Sequence, residues 1–422
     1  MAKEEKIIYV YDDFSGEEPS LLGKLNVSTI RGTENYSFEY EKEWLLANGF
    51  RVNLDPELMP YAGRQFPSEK NIFGIFADAS PDRWGRLLMN KRERLLAEKE
   101  GRKPLKLHDS DYLLGVYDET RMGGLRFKLE KDGPFLSDDT DTATPPWTSL
   151  RTLEEASRNF EKDENGLTDK WLRQLIKPGS SLGGARPKAT VVDTNGQLWI
   201  AKFPSKHDEN DTGAWEMVAH DLAEMCGLNV PEACLEKFSK LGSTFLVKRF
   251  DRDGKRRIHF ASAMTLLGRT DGADASEGAG YLDIAGFIKA YGASPKADLT
   301  ELWKRIVFNM AVTNTDDHLR NHAFILTQKG WTLSPLFDVN PVPYGDELSL
   351  LVDDRSNEIS IELAIETASR FGISGSNAKK YADEILLTIK NNWESLAKKC
   401  GLTRGQIENM RPAFDLSSFC ER

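Results

Sequence analysis

The period of hydrophobic and polar positions changes along this 422-residue chain. Near its start, IIYVY (Ile7–Tyr11) alternates and predicts a short strand, and Tyr36–Tyr40 predicts another, because a strand points successive side chains to opposite faces. In FADASPDRWGRLLMNKRERLLAEK the apolar positions Trp84, Leu87, Leu88 and Leu95 recur at helical spacing. Ser80 stands where an N-cap belongs, with Pro81 as the first helical residue. The stretch SDDTDTATPPW, Ser137 to Trp147, has no period and reads as a linker. Beyond it, KATVVDTNGQLWIAKFP predicts a hairpin of Ala189–Val192 and Leu198–Phe203 around Thr194-Asn195-Gly196. A helix is expected at Thr212–Cys226, closed by Gly227, and a strand at Thr244–Arg249. From about residue 255 the pattern is mostly helical, with apolar i, i+3/i+4 spacing over Phe287–Tyr291, Leu299–Val312 and Asn377–Cys400. One hairpin interrupts it, AFILTQKGWTLSPLFD, turning at Gln328-Lys329-Gly330.

Composition narrows the class. With 40% hydrophobic residues the chain can build about two or three cores. It opens charged, MAKEEKIIYVYDDF, and holds no apolar run of about 18 residues, so neither a signal peptide nor a membrane span is expected. Cys226, Cys234, Cys400 and Cys420 lack CxxC spacing and read as reduced thiols of a cytoplasmic protein. A net charge of −10 argues against autonomous nucleic-acid binding. Two basic clusters, Lys91-Arg92-Glu93-Arg94 continuing to Arg102, Lys103 and Lys106, and Lys255-Arg256-Arg257, read as solvated faces or turns.

The chemistry concentrates in TNTDDHLRN, Thr313 to Asn321. Asp316 precedes Asn321 by five positions, and Asp338 follows Asn321 by seventeen, across the hairpin. A hairpin brings its two ends together, so Asn321 and Asp338 should be neighbours, with Asp316 on the loop leading in. That order serves phosphoryl transfer: one Asp deprotonates the attacking hydroxyl while an Asn and a second Asp hold Mg²⁺ on ATP. The plainer reading is a polar loop capping a helix; in the catalytic reading Asp317 is simply solvated. PGSSLGGARPKATV, Pro178–Val191, offers Gly183 and Gly184 for close approach to phosphate, or is an ordinary turn. Lys202 in WIAKFP either meets phosphates or snorkels from an edge strand. Glu216, with Glu209 and Glu224 as rivals, is the candidate partner of that lysine. Backbone groups from Val247 through Lys248 to Phe250 are placed to meet adenine. His318 reads as loop-orienting rather than as a zinc ligand with Asp316 and Asp338.

In order, SSLGGARPK, WIAKFPS, LNVPEACL, FLVKRFD, NTDDHLRNHAFIL and LSPLFDV resemble the HipA family of serine/threonine-protein kinase toxins of type II toxin–antitoxin systems. FEYEKEWL and FADASPDRWGRLLM are similar to that family's small N-terminal subdomain. The resemblance implies an α+β, bilobal protein-kinase-like fold. Its expected parts are an N-terminal subdomain at 1–136, a linker at 137–147, an ATP-binding lobe at 148–253 and a helical lobe at 254–422. It implies Asp316 as base, Asn321 and Asp338 as Mg²⁺ ligands, and Lys202 on the ATP phosphates. Ser181, Gly183, Gly184, Lys188, Val247, Lys248, Phe250 and His318 complete the nucleotide site. Ser181, with Ser180 beside it, corresponds to an autophosphorylated serine whose phosphate would repel ATP and switch the enzyme off. Implied partners are a helix-turn-helix antitoxin of the HipB type, operator DNA through that antitoxin only, and a protein substrate such as an aminoacyl-tRNA synthetase. Arg186-Pro187 ahead of Lys188 departs from the glutamine-containing loop of the best-known branch. The alternatives are a small-molecule kinase, which needs a polar or acidic pocket in the helical lobe, a non-catalytic nucleotide-binding corepressor, and a phosphoesterase using Asp316, His318 and Asp338.

Overall fold

Alternation at the start of the chain builds a sheet. The structure is a computed structural model that describes residues 4–48, 53–68, 70–136, 144–162, 175, 184 and 186–416. Strands β1 (Glu4–Asp12), β2 (Ser20–Ile30), β3 (Thr33–Tyr40) and β4 (Leu125–Lys128) pair antiparallel in the order β3-β2-β1-β4. Ile8, Leu25 and Phe38 stand opposite one another across three strands, and Val10 opposite Phe127, all buried. Strand β2 was not among the expected strands, for a physical reason: the register shifts between Val10 and Tyr11, so Leu21-Leu22 breaks the alternation. Arg31 and Gly32, at φ 53° and 78°, turn β2 into β3 in the two-residue form whose twist suits a hairpin.

Helix α1 (Lys42–Asn48) stacks Trp44 on Tyr40, and α2 (Gly74–Asp78) sets Phe76 against Phe38 and Phe127 with centroids 5.5 and 6.2 Å apart. Each buried ring of this kind contributes about 2 kcal/mol. Helix α3 (Arg83–Lys99) corrects the expected cap. Its N-cap is Asp82, which accepts the Gly85 N–H at 2.9 Å, whereas Ser80 donates to the Phe76 carbonyl and finishes α2. Asp82 wins because its other oxygen meets the Lys188 ammonium at 2.9 Å, both side chains being almost wholly buried. Trp84 and Leu88 are buried as expected, but Leu87 is exposed.

The chain divides into two compact units, Met1–Lys206 with Arg249–Ala261, and His207–Lys248 with Ser262–Arg422. The first carries the expected hairpin, Lys188–Val192 paired with Leu198–Lys202. Pro145, at the end of the expected linker, accepts the Val192 N–H at 3.0 Å; residues 137–143 lie outside the described ones. Its segment Arg249–Ala261 is pinned by ions. Asp251 accepts from Arg249, from Arg252 and from the Gly123 N–H, while Arg257 donates to Asp118. Arg257 is therefore buried, not the solvated turn residue expected, because Asp118 and Asp13 pair with it. Lys255 and Arg256 are exposed.

In the second unit the long helix Gly375–Lys399 packs on Thr212–Met225 and Pro295–Ala311. Trp393 stacks on Phe414 at 4.7 Å and buried Trp303 donates to the Ala364 carbonyl. Helix Thr212–Met225 begins at Asp211 and ends before Gly227, whose φ of 73° makes the left-handed turn. The second hairpin, Ala323–Thr327 with Gly330–Leu333, turns where the sequence predicts. Among the described residues no helix is long and apolar enough to cross a membrane, and Cys226, Cys234 and Cys400 are free thiols.

Candidate active site

The site is built from the end of a helix. Pro295–Ala311 starts with Pro at its first position and stops by a left-handed turn: Thr313, at φ 50°, donates to Met310 and Asn314 donates to Asn309. This double bond pattern usually uses glycine at the left-handed position, so a β-branched Thr is held there against its preference. Asn309 is the anchor. Its carbonyl accepts the Asn314 N–H at 2.8 Å, its Oδ1 accepts Asn314 Nδ2 at 3.1 Å, and its Nδ2 donates to Asp317 at 2.7 Å.

Asp316 and Asp317 then part company. Asp316 is exposed, and its carbonyl oxygen accepts the His318 N–H and Asn321 Nδ2, each at 3.0 Å. Asp317 is not solvated as expected; it is buried, and one oxygen accepts from Tyr281 Oη at 2.6 Å, Asn309 Nδ2 at 2.7 Å and His322 Nε2 at 2.8 Å. Burial by itself would raise the Asp317 pKa, but the His322 ring and the Tyr281 hydroxyl hold it below the usual carboxylate value. Burial and the neighbouring Asp317 push the Tyr281 hydroxyl well up, so it stays a donor. An internal anion gripped by donors from two helices and the hairpin start fixes the backbone on which Asp316 sits.

Asn321 has its amide nitrogen committed to Asp316, while its Oδ1 is buried with no hydrogen-bond partner. The far end of the hairpin returns to this loop: Ser334 N–H bonds the Ala323 carbonyl at 2.8 Å, Asn340 N–H bonds Asn314 Oδ1, and Val342 N–H bonds the Thr313 carbonyl. Asp338 lies at the start of that return, half-buried, at φ 60°. Three non-glycine residues have positive φ among the described ones; one is in the β2–β3 turn and the other two, Thr313 and Asp338, flank this loop. Strained backbone of this kind persists only where surroundings over-determine it. His318 is half-buried, with Nδ1 lacking a partner. Among the described residues no three His, Cys, Asp or Glu side chains group as a metal site, so Asp316, His318 and Asp338 do not form the phosphoesterase set.

The remaining expected residues lie elsewhere in the chain. Lys202 is buried, which does not suit a snorkelling edge lysine, and of its three candidate partners only Glu216 is buried. Lys188 holds Asp82 and points at the Gly184 carbonyl, 3.5 Å away. Gly184 has φ 85°, a value only glycine takes without strain. Ser180, Ser181 and Gly183 lie outside the described residues. Val247 pairs with Ala233; the Lys248 N–H is bonded to the Glu232 carbonyl and the Arg249 N–H to the Leu198 carbonyl. Phe250 is half-buried. Sequence reasoning missed Tyr281, Asn309 and His322. The visible signal is Asn309, an amide inside the apolar run RIVFNMAV; His322 stands in no metal-binding spacing and carries no such signal.

Residues 180–393, just over half of the chain, match the HipA-like C-terminal domain family. The chain belongs to the HipA family. Among its relatives, the serine/threonine-protein kinase toxin HipA of Shewanella oneidensis is 24% identical over 218 residues, 44% of this chain and 49% of that protein. The kinase-named Y4mE of Sinorhizobium fredii is 28% identical over 258 residues, 54% of each chain. The chain thus spans about half the length of the curated relatives it matches. A chain from the solved Shewanella oneidensis MR-1 complex of HipA, HipB and operator DNA is 17% identical, with a TM-score of 0.68 over 98% of this chain and 97% of that one. That is a likeness of fold, and it bears out the α+β kinase-like fold expected from the sequence. As a HipA-family member the chain is kinase-like, and the matched residues include Lys188, Lys202, Asp316, Asn321 and Asp338.

Proposed function

We propose that this chain is an ATP-dependent serine/threonine-protein kinase acting as the toxin of a type II toxin–antitoxin system. The observation that carries the reading is Asn321, whose nitrogen is tied to the Asp316 carbonyl while its buried oxygen lacks a partner. Leaving such an oxygen unsatisfied costs about 1–3 kcal/mol, and a hard cation would return it. Amide and carboxylate oxygens, Asn321 Oδ1 and the Asp338 carboxylate, are the donors Mg²⁺ takes alongside phosphate. Bound Mg²⁺–ATP would supply the phosphoryl group and neutralise its charge.

In this reading Asp316 orients the acceptor hydroxyl and takes its proton, held in place by the Asp317 network. His318 supports the loop through its N–H on the Asp316 carbonyl. Lys202 meets the phosphates; Gly183 and Gly184 admit them; Lys188 serves the site by holding the Gly184 turn. Adenine would meet the main-chain groups of Val247–Phe250 that are not already bonded. Ser181 is the autophosphorylation site. The parts are 1–136, the linker 137–147, the ATP-binding lobe 148–253 and the helical lobe 254–422.

A HipB-type helix-turn-helix antitoxin is the proposed partner, binding the operator on the kinase's behalf, in the cytoplasm. Two observations support it: a net charge of −10 leaves DNA affinity to a partner, and the fold is that of a protein solved with HipB and operator DNA. The test is the intact mass of the purified protein after incubation with Mg²⁺ and ATP, with peptide mapping. One added phosphate on Ser181, absent in Asp316→Asn, is the expected result. Bound ATP with no transfer to itself or to any protein acceptor would favour the corepressor reading.

A further inference from the structure

Within the unit His207–Lys248 with Ser262–Arg422, a cleft of about 470 Å³ is lined by Thr315, the neighbour of Asp316, and by residues around 274–276 and 347–357. Its walls are preformed. Ser349 Oγ donates to the Thr315 carbonyl at 2.7 Å, Ala275 N–H to the Ser349 carbonyl at 2.8 Å, and Leu348 N–H to the Asn357 carbonyl at 2.7 Å. Gly345 presses on Thr315 so closely that a Cβ there would lie 2.4 Å from Thr315 Cγ2. The cleft is therefore fixed to the loop that carries the exposed Asp316 carboxylate. Nothing in the catalytic reading uses it.

We propose that this cleft seats the polypeptide segment carrying the acceptor hydroxyl, and that it selects a basic residue close to that hydroxyl. The inference rests on the kinase reading above. Charge argues for the basic residue: the exposed charged groups of the lining are Asp274 and Glu347 against Arg355 alone. Form argues for a chain rather than a metabolite. A small ligand is held by burying most of its surface, whereas Asp274, Ser276, Glu347 and Arg355 all stand open to solvent. Buried Leu348 offers an apolar contact between these polar groups. Reach sets the register. Thr315, which lines the cleft, directly precedes Asp316, so the selected residue is expected close to the acceptor along the substrate chain.

The probe is a peptide library with a fixed Ser or Thr and randomised neighbours, phosphorylated by the full chain with Mg²⁺ and ATP. ATP hydrolysis to water is followed in parallel. The variant Asp274→Asn/Glu347→Lys keeps a good N-cap at 274 and reverses the charge of the lining. The expected result is roughly five- to tenfold selection of Arg or Lys over Asp or Glu within three positions of the acceptor. The variant should lose or invert this selection while its ATP hydrolysis stays at the native rate. Native-like selection by the variant overturns the assignment, as does ATP turnover with no peptide phosphorylated. Phosphorylation of a metabolite that the variant no longer accepts replaces the polypeptide with a small ligand and also overturns it. Absence of both hydrolysis and transfer removes the kinase reading itself, and the cleft assignment with it.

Discussion

Each unit of the molecule buries an aspartate, and each keeps it ionised by different means. In the first, burial would raise the Asp251 pKa, but Arg249 and Arg252 hold it far below the usual carboxylate range. In the second, Asp317 has no Arg or Lys ion pair among the described contacts; a phenol, an amide and an imidazole hold it instead. The arginine-bound anion joins two lengths of chain, since Gly123 and Arg249 bracket it. The second anion, Asp317, sits one residue from the proposed base. Two guanidinium groups clasp the first carboxylate, whereas three different side chains converge on one oxygen of the second. The first arrangement fastens two lengths of chain; the second is a satisfied hydrogen-bond network that fixes the loop beside Asp316.

The comparison can be broken first at Asp251. Asp251→Asn leaves buried guanidinium groups uncompensated and should cost about 3–5 kcal/mol in urea unfolding, with phosphotransfer per folded molecule unchanged. A loss below about 1 kcal/mol would mean that the pairing contributes little.

Acid sharpens the comparison next. His259, buried and stacked on Phe14 at 4.4 Å, has its pKa moved by burial from 6.5 to about 4. Between those values the unfolded chain takes up a proton that the folded chain refuses, so stability falls as pH falls. The difference is worth about 3 kcal/mol. Asp251 and Asp317, both depressed, add stability that is present at neutral pH and lost as pH drops through their folded values. Unfolding measured from pH 7 to pH 4 should therefore be less steep in His259→Phe than in the native chain.

The smaller stability effect, with the larger functional one, belongs to Asp317→Asn. It puts an amide among donors that need an acceptor and should cost about 1–3 kcal/mol. Phosphotransfer should fall roughly ten- to a hundredfold at unchanged ATP affinity, because Asp316 loses its support and not its chemistry. A proportional loss of folded protein and activity, with the rate per folded molecule intact, would make Asp317 merely structural.

Much of this site was legible because its signals are local. The hairpin whose turn is written in Gln328-Lys329-Gly330 forms and returns the chain to the loop that holds the candidate residues Asp316 and Asn321. Gly227 marked the end of its helix for the same reason. What failed depended on distant partners. Ser80 and Asp82 are equally good caps on paper, and Lys188, more than a hundred positions away, decides between them. Asp317 looked like a surface residue because Tyr281 and Asn309, which bury it, precede it by 36 and 8 positions on other elements. Arg257 looked exposed because Asp118, 139 positions earlier, could not be paired with it by eye.

The central claim is that the orphaned Asn321 oxygen holds the metal on ATP. Calorimetry of ATP binding with and without Mg²⁺, in the native chain and in Asn321→Ala, tests it most directly. The account predicts that the variant keeps its metal-free ATP affinity and loses the increment that Mg²⁺ adds. An undiminished Mg²⁺ increment in Asn321→Ala would contradict it.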